Sequence, residues 1–234
     1  MVNNIVAQSF YERLSKNLHL LELKACDVNA RFFELATHSE VIVEQCLTNY
    51  RTSNAAVPMM REVIRCAKLM PDDPVSAPLI KYMEQHIPEE TGHDQWCIDD
   101  LAVLGVTEEQ IHSKIPSPNI MALIGSQYYM IRHQHPVAIM GYLACLETHP
   151  PTIEYVEGLI EKSGLPAAAF SGLMHHAKID PHHKQDIINT LNSLPLTEKQ
   201  YQLVERSAFL SLRYVALMME DVCKAAPVDS LVSI

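Results

Sequence analysis

Apolar side chains recur every three or four positions along nearly the whole chain, the spacing that gives a helix one apolar face. Residues 18–36 illustrate it, with leucine, valine and phenylalanine at this interval and polar residues between them. No segment alternates apolar and polar residues as a strand does, so we predict an all-α protein. The predicted helices span residues 4–16, 18–36, 40–51, 55–69, 75–104, 119–148, 152–163, 166–176, 181–193 and 197–224.

Prolines interrupt several of these segments. Pro88 should kink or split the helix that contains it, because proline lacks the backbone N–H that continues a helix. The pair His135–Pro136 should disturb the middle of another helix in the same way. Asp180 followed by Pro181 is typical of a helix N-cap and first helical residue, which predicts a helix boundary there.

Nothing in the chain indicates a second domain. We see no repeat, low-complexity stretch or linker, and therefore predict one helical domain over residues 1–234, frayed from about residue 226 onward. Only 7 glycines and 6% aromatic residues are present, a balance that favours helix over strand. Long helices joined by short loops indicate a bundle.

The net charge and the lack of targeting signals limit the kinds of partner that we expect. The chain has 18 basic and 28 acidic residues, a net charge of −10, which would repel nucleic acid and gives no basic face for a membrane. We find no signal peptide and no run of about 18 apolar residues that could span a bilayer. We therefore expect a cytoplasmic protein, and a homodimer as the commonest assembly. The six cysteines contain no C-x-x-C pair, so reduced and mostly buried thiols are expected.

The twelve histidines are clustered, and the first cluster lies at residues 86–93. Glu90 and His93 form an E-x-x-H pair, which a continuous helix would present on one face, as di-iron carboxylate bundles do. His86 lies four residues before Glu90, on that same face. Taken alone, the pair is a weak signal that favours a purely structural role, since E-x-x-H often occurs by chance.

The second cluster is at residues 175–183, where four of nine residues are histidine. His176, Asp180 and His183 follow the spacing i, i+4, i+7 and would lie on one side of a continuous helix. Two imidazoles and a carboxylate are costly to bury together unless a cation neutralises them. The alternatives are a solvated histidine-rich turn, or a segment that becomes ordered only when metal binds.

Glu147 ends a long apolar run and is either a surface residue at a helix end or a buried carboxylate ligand. With the two clusters it completes a set of three imidazoles and three carboxylates. Two ferrous ions, +4 in total, would nearly balance the three negative charges, and a mixed N/O set suits iron or manganese better than structural zinc. The predicted metal-binding and catalytic residues are Glu90, His93, Glu147, His176, Asp180 and His183.

These motifs resemble those of the haem-oxygenase-like di-iron oxidases, the family that includes the chlamydial protein associating with death domains (CADD). Residues 89–105 match the family pattern E-E-x-G-H-x-x-W-x-x-x-D-L-x-x-L-G, residues 135–147 look like its central helix, and residues 176–183 are similar to its third ligand helix. The resemblance implies a single-domain seven-helix bundle, two Fe(II) ions, and O2 as co-substrate. It further implies oxidation of a small organic substrate, such as an amino acid, fatty acid or amine.

One departure from the family affects the ligand set. Some members have a carboxylate ligand seven residues before the first histidine, and His86 occupies that position here. We therefore take Glu90 as the ligand and leave the parts played by His86 and Glu89 open. Tyr128, Tyr129 and Tyr142 either line the core or take part in redox chemistry.

Other functions on the same scaffold stay open. The first is a metal-free enzyme similar to thiaminase II (TenA) or pyrroloquinoline-quinone synthase (PqqC). Cys145 suggests a nucleophile for such an enzyme, but no base can be assigned to it and we expect a buried structural thiol. The second is a non-catalytic helical interaction protein. The third is a haem-binding oxygenase with His19 as an axial ligand.

Overall fold

The structure, a computed structural model, describes residues 8–227, apart from the side chains of Leu20, Asp180 and Pro181. Within residues 8–227 there is no strand, which agrees with the all-α prediction. This described part of the chain forms ten α-helices and two short 3-10 helices, Pro136–Ala138 and Ala167–Phe170. The α-helices are α1 (Phe10–Leu35), α2 (Ser39–Ala67), α3 (Ser76–Glu90), α4 (His93–Val103), α5 (Glu108–Ser113), α6 (Pro118–His133), α7 (Ile139–Glu147), α8 (Ile153–Ser163), α9 (Ser171–Ser193) and α10 (Glu198–Cys223).

Two helices organise the packing. Helix α10 contacts α1, α2, α6 and α7, and helix α2 contacts α3, α4 and α6. Their apolar faces enclose two clusters of buried side chains, one around Met59, Met140 and Val204 and the other around Phe32, Leu101 and Phe170. The end of α3 contacts the end of α7, the start of α4 and the middle of α9.

Some predicted helix boundaries were wrong because neighbouring segments join. Helix α1 runs without a break through the gap predicted at residue 17, and its start is fixed by a capping box in which Ser9 and Glu12 each accept a hydrogen bond from the other's backbone N–H. Helix α2 likewise spans the two helices predicted at 40–51 and 55–69, with Pro58 inside it. Burial of one apolar face outweighs the weak local signals at these positions.

The proline predictions had mixed outcomes. Helix α3 continues past Pro88 to Glu90, and the break falls at Gly92, whose φ of +97° favours glycine. The break at His135–Pro136 is confirmed, since the 3-10 helix there separates α6 from α7. The boundary predicted at Asp180–Pro181 was wrong, because the backbone of α9 is helical throughout Ser171–Ser193.

The expectation of seven helices was also wrong, because breaks at Gly92 and His135 divide long segments and the short helix α5 was not predicted. At the C-terminus, where fraying was expected, Ala226 is buried, and residues 228–234 lie outside the described part of the chain. Among the described helices, none combines the length and apolar character needed to cross a membrane.

Candidate metal centre

Four helices bring the two histidine-rich segments and Glu147 together. The C-terminal end of α3 supplies His86, Glu89 and Glu90, and α4 begins at His93. The turn at Gly92 places Glu90 and His93 on separate helices, so the prediction of one continuous helix was wrong. The two side chains nevertheless meet, with His93 Nδ1 3.2 Å from Glu90 Oε2.

Contacts among histidines and carboxylates link α3, α7 and α9. His86 Nε2 lies 3.2 Å from Glu147 Oε1, and His86 Nδ1 lies 3.0 Å from Glu89 Oε2. From α9, His183 Nδ1 lies 3.6 Å from Glu90 Oε1 and 3.7 Å from Glu147 Oε2. Four of the six predicted residues, namely Glu90, His93, Glu147 and His183, therefore join one cluster.

The remaining two predicted residues stand differently. The ring of His176 packs against that of His93 in an edge-to-face arrangement, with centroids 4.9 Å apart. His176 also lines the same cavity as Glu90 and His93. The side chain of Asp180 lies outside the described part of the structure, so its role as a ligand stays a prediction.

His86 and Glu89, whose parts were left open, contact the cluster directly. The donor atoms of His86, Glu89 and His183 lie within 4.8 Å of one another, and so do those of His86, Glu90 and Glu147. Each group offers three N/O donors, and His86 belongs to both. The sequence signal for His86 was its spacing of four residues from Glu90, but a histidine in place of the family's carboxylate obscured it.

The donor chemistry fits iron. His86 and His93 are each only 2% exposed. His93 Nδ1 and Glu147 Oε2 are buried, and neither atom makes a hydrogen bond. Buried polar atoms without a hydrogen bond are unusual in proteins, and a bound cation would supply the missing partner. Imidazole and carboxylate donors without thiolate are a set that iron accepts.

Burial and mutual contacts within the cluster shift the pKa values of its side chains. Burial alone would lower the pKa of His86, but its hydrogen bonds and charge interactions with Glu147 and Glu89 raise that pKa to about 9. Burial raises the pKa of Glu147, against the lowering effect of His86. Burial also acts to raise the pKa of Glu90, yet His93 and the neighbouring histidines lower it. Without metal, a protonated His86 therefore supplies part of the positive charge that the carboxylates need.

Asp100 fastens the start of α9 to α4. Its carboxylate accepts hydrogen bonds from Ser171 N at 3.0 Å, Ser171 Oγ at 2.5 Å and Gly172 N at 3.0 Å. The N–H groups at a helix start lack partners within the helix, and a buried carboxylate satisfies them. Because α4 begins at His93 and α9 carries His176 and His183, this contact sets the relative positions of two helices that carry predicted ligands.

A cavity of about 210 Å³ adjoins the cluster. Glu90, His93, Glu147 and His176 line one part of it, and apolar side chains from α7, α9 and α10 line another. Such a space, apolar with a few convergent polar groups, is typical of a small-molecule site. The apolar lining includes Leu143, Leu146, Leu173 and Met218.

The three tyrosines and Cys145 lie in different environments. Tyr142 is buried and lines the cavity, whereas Tyr129 is 59% exposed and Tyr128 packs under Arg132. Cys145 lines a different, smaller cavity between α1 and α7, and burial raises the pKa of its thiol to about 12. The thiol is therefore protonated and poorly suited to act as a nucleophile.

His19 occupies a position unlike that of a haem ligand. Its side chain is 70% exposed on α1 and lies 3.6 Å from Glu22. It is not among the residues that line the cavity beside the histidine–carboxylate cluster.

Solved structures identify the fold class. A domain of unknown function with a haem-oxygenase-like fold from Shewanella denitrificans OS217 aligns with a TM-score of 0.75 and 20% identity, over 90% of this chain and 92% of that one. A TenA homologue from Pseudomonas syringae pv. tomato DC3000 gives 0.69 and 14%, over 91% and 92%. A CADD-like protein of unknown function from Nostoc punctiforme PCC 73102 gives 0.63 and 15%, over 92% and 98%. The chain therefore has a haem-oxygenase-like fold.

The family follows from the sequence itself. Residues 52–214 match the family described as iron-containing redox enzymes, and this span covers more than half of the chain. The protein belongs to that family, as the resemblance drawn from its motifs implied. No curated protein matches the chain.

Proposed function

We propose that this protein is a non-haem di-iron oxidase that uses O2 to oxidise a small organic substrate. The observation that carries the proposal is the buried cluster in which His86, Glu90, His93, Glu147 and His183 direct nitrogen and oxygen atoms at one another beside a cavity. Membership of a family of iron-containing redox enzymes supports iron as the metal.

In this proposal the six residues predicted from the sequence hold the two ions, with His86 and Glu89 as further candidate donors. Bound iron supplies the means of activating O2, which side chains alone lack. The chain supplies the rest: α3, α4, α7 and α9 fix the donors, Asp100 holds two of those helices in register, and the apolar cavity wall excludes water from the substrate.

The test compares neighbouring histidines on α9. His183 is buried in the cluster, whereas His182 is exposed. Protein loaded anaerobically with Fe(II) and freed of excess metal should retain two irons per chain, and O2 uptake should follow on exposure to air. We expect His183→Ala to lose iron and O2 uptake, and His182→Ala to keep both. Iron retained at the wild-type ratio in His183→Ala would refute the ligand assignment.

Glu90 and Glu84 give a second matched pair on α3. Glu90→Gln removes a cluster carboxylate while keeping its shape, and Glu84→Gln changes an exposed carboxylate on the same helix. Iron binding should weaken in Glu90→Gln alone. Equal binding in the two variants would contradict the role of Glu90.

A metal-free enzyme is the second candidate, favoured by the likeness to a TenA homologue. The thiols that line the cavity, Cys46 and Cys97, are not activated for it, since burial raises the pKa of both, that of Cys97 to about 12. This candidate predicts that purified protein, even when iron is supplied, binds none and takes up no O2. The same iron measurement therefore separates the two functions.

A further inference from the structure

Three aromatic rings form a stack that runs from the metal centre to the protein surface. The ring of His93 lies on the indole of Trp96, with centroids 4.1 Å apart and planes 24° apart. The opposite end of the stack is His175, whose ring lies 4.7 Å from the indole at 21°. His93 is buried, Trp96 is half-buried and His175 is exposed. The stack therefore connects a candidate iron ligand to solvent through one indole.

The outer ring of the stack is held in place. His175 Nδ1 lies 2.8 Å from the backbone oxygen of Ser171. A carbonyl oxygen only accepts, so Nδ1 carries the proton and donates it, which fixes the orientation of the imidazole. The backbone of Ser171 is in turn fastened to Asp100. Packing alone does not require an ordered imidazole on the solvent side of the indole.

The surroundings supply a reason for such a path. Met218, Cys46 and Cys97 line the cavity, and thioethers and thiols are readily oxidised. If O2 reacts at the iron site when no substrate is present, the oxidising equivalents remain beside these side chains and beside the ligands. A tryptophan in contact with a ligand is the side chain of the stack that gives up an electron most easily.

We propose that Trp96 is a redox relay that carries oxidising equivalents from the iron site to the surface, where a small reductant of the ascorbate class quenches them. This inference rests on the proposed function. Trp96 acts through His93 and is not a catalytic residue. His175 positions the indole and forms the surface end of the path.

Each step of the relay transfers one electron. The indole of Trp96 gives one electron to the oxidised iron site and releases its Nε1 proton to water, which leaves a neutral indolyl radical. Ascorbate then returns a hydrogen atom, that is, one electron and one proton, so the indole N–H bond is re-formed and ascorbate becomes its own radical. Two such cycles remove two oxidising equivalents from the site.

The experiment measures where the protein is damaged. Iron-loaded protein without substrate is exposed to O2, with or without ascorbate, and oxygenated residues are located by peptide mass spectrometry. In the wild type we expect oxidation mainly at Trp96, lowered by about an order of magnitude by ascorbate. In Trp96→Phe, which keeps a ring in the stack, we expect oxidation to move to cavity residues such as Tyr142 and Met218. Trp96→Tyr should restore the protection in part, because tyrosine can also give up an electron and a proton.

Two variants on α9 test the surface end. His175→Leu should raise oxidation at the cavity, whereas His182→Leu, which changes an exposed histidine outside the stack, should not. Wild-type protein that takes up O2 but is oxidised at cavity residues and not at Trp96 would overturn the relay and leave the proposed function standing. Absence of iron binding or of O2 uptake would refute the proposed function and the relay with it.

A metal-free measurement tests the stack itself. Trp96 is the one tryptophan of the chain, so fluorescence excited at the indole band reports this residue. Both faces of the indole contact imidazoles, and removing the outer one in His175→Leu should change the emission intensity, with His182→Leu as control. An unchanged emission in His175→Leu would show that the rings do not stack in solution and would overturn the proposal.

Discussion

Replacing Gly141 by alanine should destabilise the protein and weaken the proposed iron site, because α7 touches the backbone of α10 at this position. A Cβ atom on residue 141 would lie 2.0 Å from Val204 O, 2.7 Å from Ala208 N and 2.9 Å from Ser207 Cβ. Two of these three are backbone atoms, which cannot turn aside. Since real Cβ contacts below 3.0 Å essentially do not occur, α7 would have to move by about 3.0 − 2.0 = 1.0 Å.

The change in the free energy of unfolding follows from two opposing effects. Overpacking a well-filled core costs about 1–3 kcal/mol, and a clash with backbone belongs at the upper end. Alanine in place of glycine within a helix returns about 1 kcal/mol. The net loss is about 2 kcal/mol, or a fall in melting temperature of about 4–8 °C for a chain of this size. Because α7 ends at Glu147, iron affinity should fall as well.

Gly125 is the matched control. It lies in α6, it is exposed, and a Cβ there meets no atom within 4 Å. Gly125→Ala should therefore keep only the helix-propensity gain and stabilise the protein by up to about 1 kcal/mol. Urea unfolding followed by circular dichroism, with an iron titration of each variant, provides the measurement. A Gly141→Ala protein as stable as the wild type would refute the close approach of α7 and α10.

Two further predictions concern carboxylates. Hydrogen bonds from Arg65, together with Arg132, lower the pKa of Glu62 to about 2. The contribution of Glu62 to stability is therefore present above its usual pKa of 4.5 and is lost as the pH falls from there towards 2. Glu62→Gln should flatten the acid limb of a stability–pH curve, and an unchanged limb would contradict this. Asp100→Asn places an NH2 group where Gly172 N or Ser171 now donates a hydrogen bond. This change should lower the free energy of unfolding in urea by about 1–3 kcal/mol and also weaken iron binding. If neither quantity changed, the contact would not position α9.

The segments that carry the predicted ligands could be found from the sequence because their signals are local. Spacing and residue type marked Glu90 with His93 and His176 with His183, and the apolar run before Glu147 made that carboxylate conspicuous. The same local signals failed at helix boundaries. Pro181 indicates a helix start when read alone, yet α9 is helical through it, since packing along the rest of the helix outweighs one missing hydrogen bond.

By itself, the sequence determined the helical class and the types of side chain available to a metal. Periodicity and composition carry that information, because each depends only on neighbours along the chain. The tertiary structure alone decided that His86 and Glu89 join the cluster, that Asp100 fastens α9 to α4, and that Trp96 lies between His93 and His175. These contacts depend on how each helix is rotated about its axis, and that rotation is set by the packing of the whole core.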